Sequence, residues 1–287
     1  MRHKLILILA CAVLNVIAST VSASASNANQ IDIKYVPPKE AEHEYIFDLL
    51  RERRALERLQ ELLSPFRLPR RLTISVVGCD GEADAFYGDD AITICYEYLD
   101  ELWRHVPKQT PASGIAPIDT VVGPFVDTSL HEFAHALIDM FQLPVLGRLE
   151  DAADQVAAYL YMQLGEADAR RLIFGTAYTY FALDKQLEMA DATRLFSKQH
   201  STPAQRAYNL LCMAYGADIK KYSDIVSRGF LPKDRALFCE EEYEQVQDAL
   251  DVLLLKHVDQ ELALKVKSKT WLKDRDSWDD FLRRRQK

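Results

Sequence analysis

Two histidines and a glutamate in residues 131–135 have the types and spacing of a metal site. His131 and His135 are four positions apart. On a helix each residue turns by about 100°, so both imidazoles would lie on one face and could bind one ion. Glu132, the next residue, lies about 100° further round the helix, where its carboxylate could take a proton from an activated water without binding the metal. This H-E-x-x-H pattern predicts a zinc site with Glu132 as general base.

The same residues also allow an interpretation in which they have only a structural role. Ser129 and Glu132 also fit the S-x-x-E pattern of a capping box, in which Glu132 would only cap a helix that begins at Ser129. Apolar residues, however, recur at helical spacing on both sides of Ser129, and Pro124 suits a first helical position. We therefore expect a helix that starts near Pro124 and carries both histidines in its middle.

A third ligand is needed, because catalytic zinc usually has three protein ligands and keeps one position for water. A proline and a glycine after the motif should end its helix and turn the chain, so residues 150–160 would form a second, antiparallel helix. Glu150 and Asp154 share one face of that helix. We predict Glu150 as ligand and Asp154 as acceptor of a ring N–H from a ligand histidine. Asp151 is the alternative ligand. Without a metal, these carboxylates would be explained by the helix dipole, which favours acidic residues in the first turn of a helix.

Residues 128–137, together with the E-x-x-A-D pattern of residues 150–154, resemble the gluzincin clan of zinc peptidases. The run from His131 to Tyr159 most resembles a bacterial family of unknown function described as "putative metallopeptidases", and weaker similarities extend over most of the chain. The resemblance implies Zn²⁺ at His131, His135 and Glu150, with Glu132 as catalytic base. It also implies a peptide or protein substrate, without indicating which one.

The first 25 residues have the pattern of a signal peptide. A basic start is followed by an apolar run from Leu5 to Ala18 and by an A-x-A cleavage signal at residues 23–25. We expect an exported protein, periplasmic or secreted, without stable membrane insertion. An uncleaved anchor is the alternative, although the apolar run is shorter than the roughly 20 residues that span a bilayer.

Four cysteines remain after this leader, and none of them has C-x-x-C spacing, which argues against a structural zinc finger. Export favours disulfides over free thiols. Four cysteines allow three pairings. We favour Cys79 with Cys95 and Cys212 with Cys239, because each of these pairs closes a short loop.

The rest of the chain predicts an α+β fold in one domain, residues 41–287, after a flexible polar linker at residues 26–40. A small sheet would pack on the motif helix, and a mostly helical second half would close a zinc cleft. The predicted strands are residues 72–77, 85–87 and 91–95, the last two forming a hairpin beside the cleft. The other predicted helices are residues 41–63, 96–106, 166–173, 178–194, 203–215, 222–227 and 240–258.

The helical second half should also supply a group that stabilises the oxyanion formed when water attacks a carbonyl. Arg206 and Tyr208 are the main candidates, and His200 and Tyr215 are two further ones. Each has an ordinary alternative as an ion-pair, core or loop residue.

Charge excludes one class of partner. The chain has 43 acidic against 35 basic residues, a formal net charge of −8, and should not attract nucleic acid or an anionic membrane. The sequence predicts no particular oligomeric state. The alternative function is a zinc-stabilised binding or inhibitory protein without turnover. Glu132 argues against it, because a structural zinc site has no use for an unligated acid at that position.

Overall fold

The computed structural model describes residues 30–111, 113–187 and 198–272, which form a mixed sheet and a larger set of helices. This confirms the α+β prediction, while the predicted signal peptide lies outside the described residues. The strands are β1 (Ile31–Tyr35), β2 (Leu72–Val77), β3 (Ala85–Gly88) and β4 (Ala91–Cys95). The helices are α1 (Glu44–Glu52), α2 (Ala55–Leu63), α3 (Tyr96–Arg104), α4 (Asp119–Met140), α5 (Leu149–Met162), α6 (Glu166–Leu187), α7 (Pro203–Ala217), α8 (Ser223–Ser227), α9 (Lys233–Ala236), α10 (Cys239–Leu254) and α11 (Gln260–Ser268).

The sheet has the order β1-β2-β4-β3, and both β3 and β4 contact α4. Strand β2 pairs in parallel with β1 and β4, whereas β3 pairs antiparallel with β4. Asp89 and Asp90 join β3 to β4 with φ of 49° and 59°, as a two-residue type I′ turn requires. The hairpin prediction is confirmed, and β3 is an edge strand beside the motif helix.

Strand β1 corrects the predicted linker. Ile31 is buried and pairs with Leu72 of β2. The Tyr35 hydroxyl donates to Glu57 Oε2 at 2.8 Å and accepts the backbone N–H of Leu56 at 2.8 Å. The linker prediction is therefore wrong for residues 31–35. Ile31, Ile33 and Tyr35 alternate with two charged residues, which is a strand pattern, but polar residues before the segment and two prolines after it obscure that pattern.

The single helix predicted over residues 41–63 is also wrong, because the chain forms α1 and α2 with a break between them. Arg54, at the break, has a left-handed φ of 53°. The break lets both helices bury leucines, such as Leu49 and Leu59, in the same core. No glycine or proline marks this position in the sequence.

Helix α4 begins at Asp119, so the expected start near Pro124 is wrong. Proline has no N–H, and Pro124 therefore leaves the carbonyl of Thr120 without its usual helical donor. The hydroxyl of Thr179 on α6 donates to that carbonyl at 2.7 Å and compensates for the loss. Ser129 is not a cap either, since its Oγ donates to the carbonyl of Phe125 at 2.7 Å within the helix. Both histidines lie well inside α4, as predicted.

Helix α6 is continuous from Glu166 to Leu187, which joins the two helices predicted there; residues 188–194 of the second lie outside the described residues. Gly175 lies in the gap between these two predicted helices and is a site of close packing. A Cβ on Gly175 would lie 1.9 Å from the carbonyl oxygen of Asp119, and one on Gly123 would lie 2.6 Å from that of Leu172. These two glycines let α4 and α6 cross closely.

Two disulfides join Cys79 to Cys95 and Cys212 to Cys239, with Cα atoms 5.5 Å and 5.0 Å apart. Both predicted pairings are confirmed, and they agree with an oxidising compartment. Among residues 30–111, 113–187 and 198–272, no helix combines the length and the apolar character needed to cross a membrane.

Candidate metal centre

Helices α4 and α5 pack together and bring three potential ligand atoms to one point. The Nε2 atoms of His131 and His135 are 3.1 Å apart. Glu150 Oε2 lies 3.1 Å from Nε2 of His131 and 3.3 Å from that of His135. All three side chains are largely buried, and they form a group that could hold a metal ion. The structure thus brings together the three residues predicted as ligands.

Asp154, one turn further along α5, lies on the other side of the His131 ring. Its Oδ1 is 2.7 Å from Nδ1 of His131. The carboxylate can only accept, so Nδ1 carries the proton and Nε2 is directed at Glu150. Burial lowers the pKa of His131, but its hydrogen bonds to Asp154 and Glu150 outweigh this and raise it to about 9. The hydrogen bond with His131 in turn lowers the pKa of Glu150 to about 2.

Arg206 on α7 holds Asp154 in place. Its Nε donates to Asp154 Oδ2 at 2.9 Å and its Nη2 to Oδ1 at 2.6 Å, while the guanidinium stacks 4.7 Å from the ring centroid of Tyr180. Burial raises the pKa of Asp154, but Arg206 and His131 together hold it below its usual range. Arg206 therefore lies on the Nδ1 side of His131, away from the Nε2 atom that faces Glu150 and His135.

Asp127 and Tyr180 extend this polar cluster, and sequence analysis did not find them. The Tyr180 hydroxyl donates to Asp127 Oδ2 at 2.5 Å, and both side chains are buried. Burial raises the pKa of Asp127 to about 6. Asp127 lies one turn before His131 on the same helix, but only the fold brings Tyr180 and Arg206 to it.

Glu132 lies beside the sheet rather than within the ligand group. Its side chain is buried, and burial is the main cause that raises its pKa to about 7. The backbone N–H of Tyr87 on β3 donates to its carboxylate. The carboxylate predicted to act as base therefore adjoins the edge strand of the sheet.

Asp151, the alternative ligand, is engaged elsewhere. It accepts a hydrogen bond from Ser201 Oγ at 2.7 Å, and Arg148 Nη1 lies 3.6 Å from its other oxygen. Glu150, not Asp151, shares the side of α5 that meets the histidines.

The remaining candidates in the second half differ in position. His200 Nε2 lies 2.8 Å from Glu150 Oε2, directly at the site. Tyr208 packs edge-on against Phe181, with ring centroids 5.0 Å apart, and Tyr215 is partly buried against the core. Of these four residues, His200 contacts Glu150 and Arg206 contacts Asp154, whereas Tyr208 and Tyr215 pack against the core.

A family model named DUF4344, with the description "Putative metallopeptidase", matches residues 35–254. The chain belongs to this family. The predicted resemblance is thus confirmed, and the match begins inside β1 and includes every residue of the candidate centre. Comparisons with curated proteins and with solved structures found no match. For this member of the DUF4344 family, two imidazoles and a carboxylate are a donor set that fits a divalent metal.

Proposed function

We propose that this protein is a zinc-dependent peptidase. The observation that carries the proposal is the convergence of His131 Nε2, His135 Nε2 and Glu150 Oε2 within 3.1–3.3 Å of one another. Two imidazoles and one carboxylate suit zinc and leave a position free, which is typical of catalytic rather than structural sites. A zinc ion held there would supply the Lewis acid that acidifies water and polarises a carbonyl group.

Glu132 is the general base in this proposal. It would take the proton of the attacking water and pass it to the nitrogen of the leaving amine as the C–N bond breaks. A pKa of about 7 suits a carboxyl group that must both accept and release a proton near neutral pH. Asp154 accepts the proton on Nδ1 of His131, so Nε2 is the nitrogen that would bind the metal once the metal displaces its proton.

Strand β3 is the proposed contact for an extended peptide. The carbonyl of Asp84 accepts the N–H of Cys95. Because hydrogen-bonded and non-hydrogen-bonded pairs alternate along an antiparallel ladder, the backbone N–H and C=O groups of Ala85 and Tyr87 point away from β4. The N–H of Tyr87 already reaches Glu132. An extended substrate that adds to this edge would therefore lie along the proposed base.

The alternative is a binding or inhibitory protein that keeps zinc for folding. A buried acid with a raised pKa next to the ligands, yet outside their group, favours catalysis instead.

The test is incubation of the protein with a diverse peptide library, with and without a chelator. We expect cleavage that the chelator abolishes. Glu132→Gln should lower the rate by about 100-fold or more and retain the metal. Glu101→Gln on α3 is the matched control and should cleave normally. Absence of chelator-sensitive cleavage by the metal-loaded wild type would favour the binding protein.

A further inference from the structure

Two adjoining cavities lie beside α6, where the segment before α4 and the end of α8 meet that helix. They share Ser113, Ile115 and Phe174 as lining residues, and their volumes are about 240 Å³ and about 190 Å³. Asp119 lines the second cavity and begins α4, so this cavity lies about 18 Å from His131 along the helix axis. Among the described residues that line either cavity, none belongs to the candidate metal centre.

The larger cavity is mostly apolar and has an aromatic lining. Phe174, Tyr178, Phe181 and Phe230 line it, and the rings of Phe174 and Phe230 meet edge to face with centroids 5.7 Å apart. An apolar cavity of about 150 Å³ is enough to admit benzene. The larger cavity therefore has room for an aromatic ring, which could meet its neighbours in the edge-to-face arrangement that aromatic pairs prefer.

The smaller cavity is basic, because three arginines line it together with one aspartate. Arg171 is matched by that aspartate, since its Nε and Nη2 donate to Asp119 Oδ1 at 3.2 Å and 2.6 Å. Arg170 and Arg228 share one carboxylate: Arg170 Nη2 donates to Asp224 Oδ2, and Arg228 Nη1 lies 3.8 Å from the same oxygen. Two guanidiniums that share one carboxylate leave a positive charge over, in a protein whose formal net charge is −8.

The two cations lie over the aromatic lining of the larger cavity. The guanidinium of Arg170 is 4.8 Å from the ring centroid of Phe174, and that of Arg228 is 4.8 Å from the ring centroid of Phe230. Each guanidinium has five N–H donors, and the hydrogen bond of Arg228 Nη2 to the carbonyl of Ser113, at 2.7 Å, uses only one of them. An anion bound by these arginines would therefore lie next to the space for a ring.

Ser113 adds a hydroxyl group to the same place. Its Oγ is buried and has no hydrogen-bond partner in the part of the chain that the structure describes. A buried hydroxyl without a partner is unfavourable. Because Ser113 lines both cavities and its carbonyl contacts Arg228, rotation of its side chain towards an anion at this arginine would satisfy the hydroxyl.

We propose that the two cavities form one binding site for a small aromatic carboxylate. The ring would occupy the larger cavity, and the carboxylate would lie between Arg170 and Arg228 with the Ser113 hydroxyl as a further donor. Charge complementarity selects the anion, and guanidinium groups match the planar geometry of a carboxylate. The aromatic lining selects the ring. This site does not depend on the proposed peptidase function.

The test is a titration of the full chain with 3-phenylpropionate, followed by nuclear magnetic resonance of the ligand. We expect a Kd on the order of 0.1 to 1 mM, which suits a ligand of this size. The amide 3-phenylpropionamide has the same shape without the charge and should bind about tenfold more weakly. Acetate has the charge without the ring and should show no saturable binding up to about 10 mM. The titration is repeated with a chelator, which should not change the Kd.

Two variants test the assigned residues. Arg228→Gln should weaken binding about tenfold, because it removes the charge and the planar fork of donors. Ser113→Ala should weaken binding about fivefold. It should not lower the thermal unfolding temperature of the ligand-free protein, since the hydroxyl has no partner there to lose. Arg67→Gln is the matched control and should bind like the wild type, because Arg67 pairs with Asp259 at 3.1 Å outside both cavities.

Four outcomes would overturn the proposal. Equal affinities for the acid and the amide would refute recognition of the anion. Wild-type affinity in both Arg228→Gln and Ser113→Ala would place the ligand elsewhere. Binding that the chelator abolishes would assign the carboxylate to the candidate metal centre. No saturable binding of 3-phenylpropionate up to about 10 mM would refute the site, and sedimentation of the wild type as a dimer would then assign the cavities to a second copy of the chain.

Discussion

Replacing Asp154 by asparagine tests how the candidate centre is supported. Asparagine has nearly the same shape and can still accept from His131 Nδ1, but it lacks the charge that pairs with Arg206. Changes in a group that orients a ligand histidine typically weaken metal affinity by roughly 10 to 100-fold. We therefore expect a loss of about 1.4 to 2.7 kcal/mol in the free energy of metal binding.

The same substitution should also lower the stability of the metal-free protein. The side chain of Arg206 is only 16% exposed, and Asp154 is its ion-pair partner at 2.6 Å. A buried pair that loses one partner typically costs about 3 to 5 kcal/mol. Asp127 interacts electrostatically with the same guanidinium, so we expect a value near the lower end, about 3 kcal/mol.

Asp151→Asn is the matched control, because it makes the same chemical change three positions earlier on α5. Metal affinity is measured by competition with a chromogenic chelator, and stability by urea unfolding of the metal-free protein. Asp151→Asn should bind the metal like the wild type. If Asp151→Asn loses the metal while Asp154→Asn keeps it, the face of α5 that meets the histidines is wrongly assigned.

Three further predictions follow from the structure. Asp127 has a folded-state pKa of about 6 against an ordinary 3.8, so the folded state keeps its proton to higher pH than the unfolded state does. The contribution of Asp127 to the free energy of unfolding should thus be complete below about pH 4 and fall by about 3 kcal/mol as pH rises to about 6, and Asp127→Asn should not show this part of the change. A pH-independent difference in urea unfolding between the variant and the wild type would contradict this. Gly175→Ala would place its Cβ 1.9 Å from the Asp119 carbonyl oxygen, whereas Gly88→Ala meets nothing within 4 Å. The first should destabilise by about 3 kcal/mol and the second by far less, and equal thermal unfolding would refute the close crossing of α4 and α6. Finally, purified protein should carry close to one zinc per chain by elemental analysis, and His131→Ala should lose it; metal retained in that variant would refute the site.

The motif helix could be predicted because helical geometry alone brings His131 and His135 together. The same holds for Glu150 and Asp154, which share a face of α5 through the same periodicity. The β3–β4 hairpin could be predicted for a similar reason, since its turn and its strands are contiguous in the chain. In each of these cases the residues that interact are no more than ten positions apart.

The predictions that were wrong concern positions where a residue has a local meaning in the sequence but a non-local role in the fold. Gly175 lies in the gap left between two predicted helices, yet α6 is continuous there and the glycine allows α4 to approach it. Pro124 resembles a helix start, yet a hydroxyl from α6 satisfies the carbonyl that it leaves free. Strand β1 was missed although Ile31, Ile33 and Tyr35 alternate with polar residues, because the segment is short, polar residues precede it, and its parallel partner β2 lies far along the chain.

The sequence by itself predicted the group of His131, His135 and Glu150, the β3–β4 hairpin and the favoured cysteine pairing, because helical spacing and short loops limit which of these groups can meet. Only the tertiary structure decided that Arg206 supports Asp154 and that His200 reaches Glu150. These contacts join α7, and the segment before it, to α5 across about 50 residues. Their geometry depends on how buried helix faces pack, and local propensities carry no information about that packing.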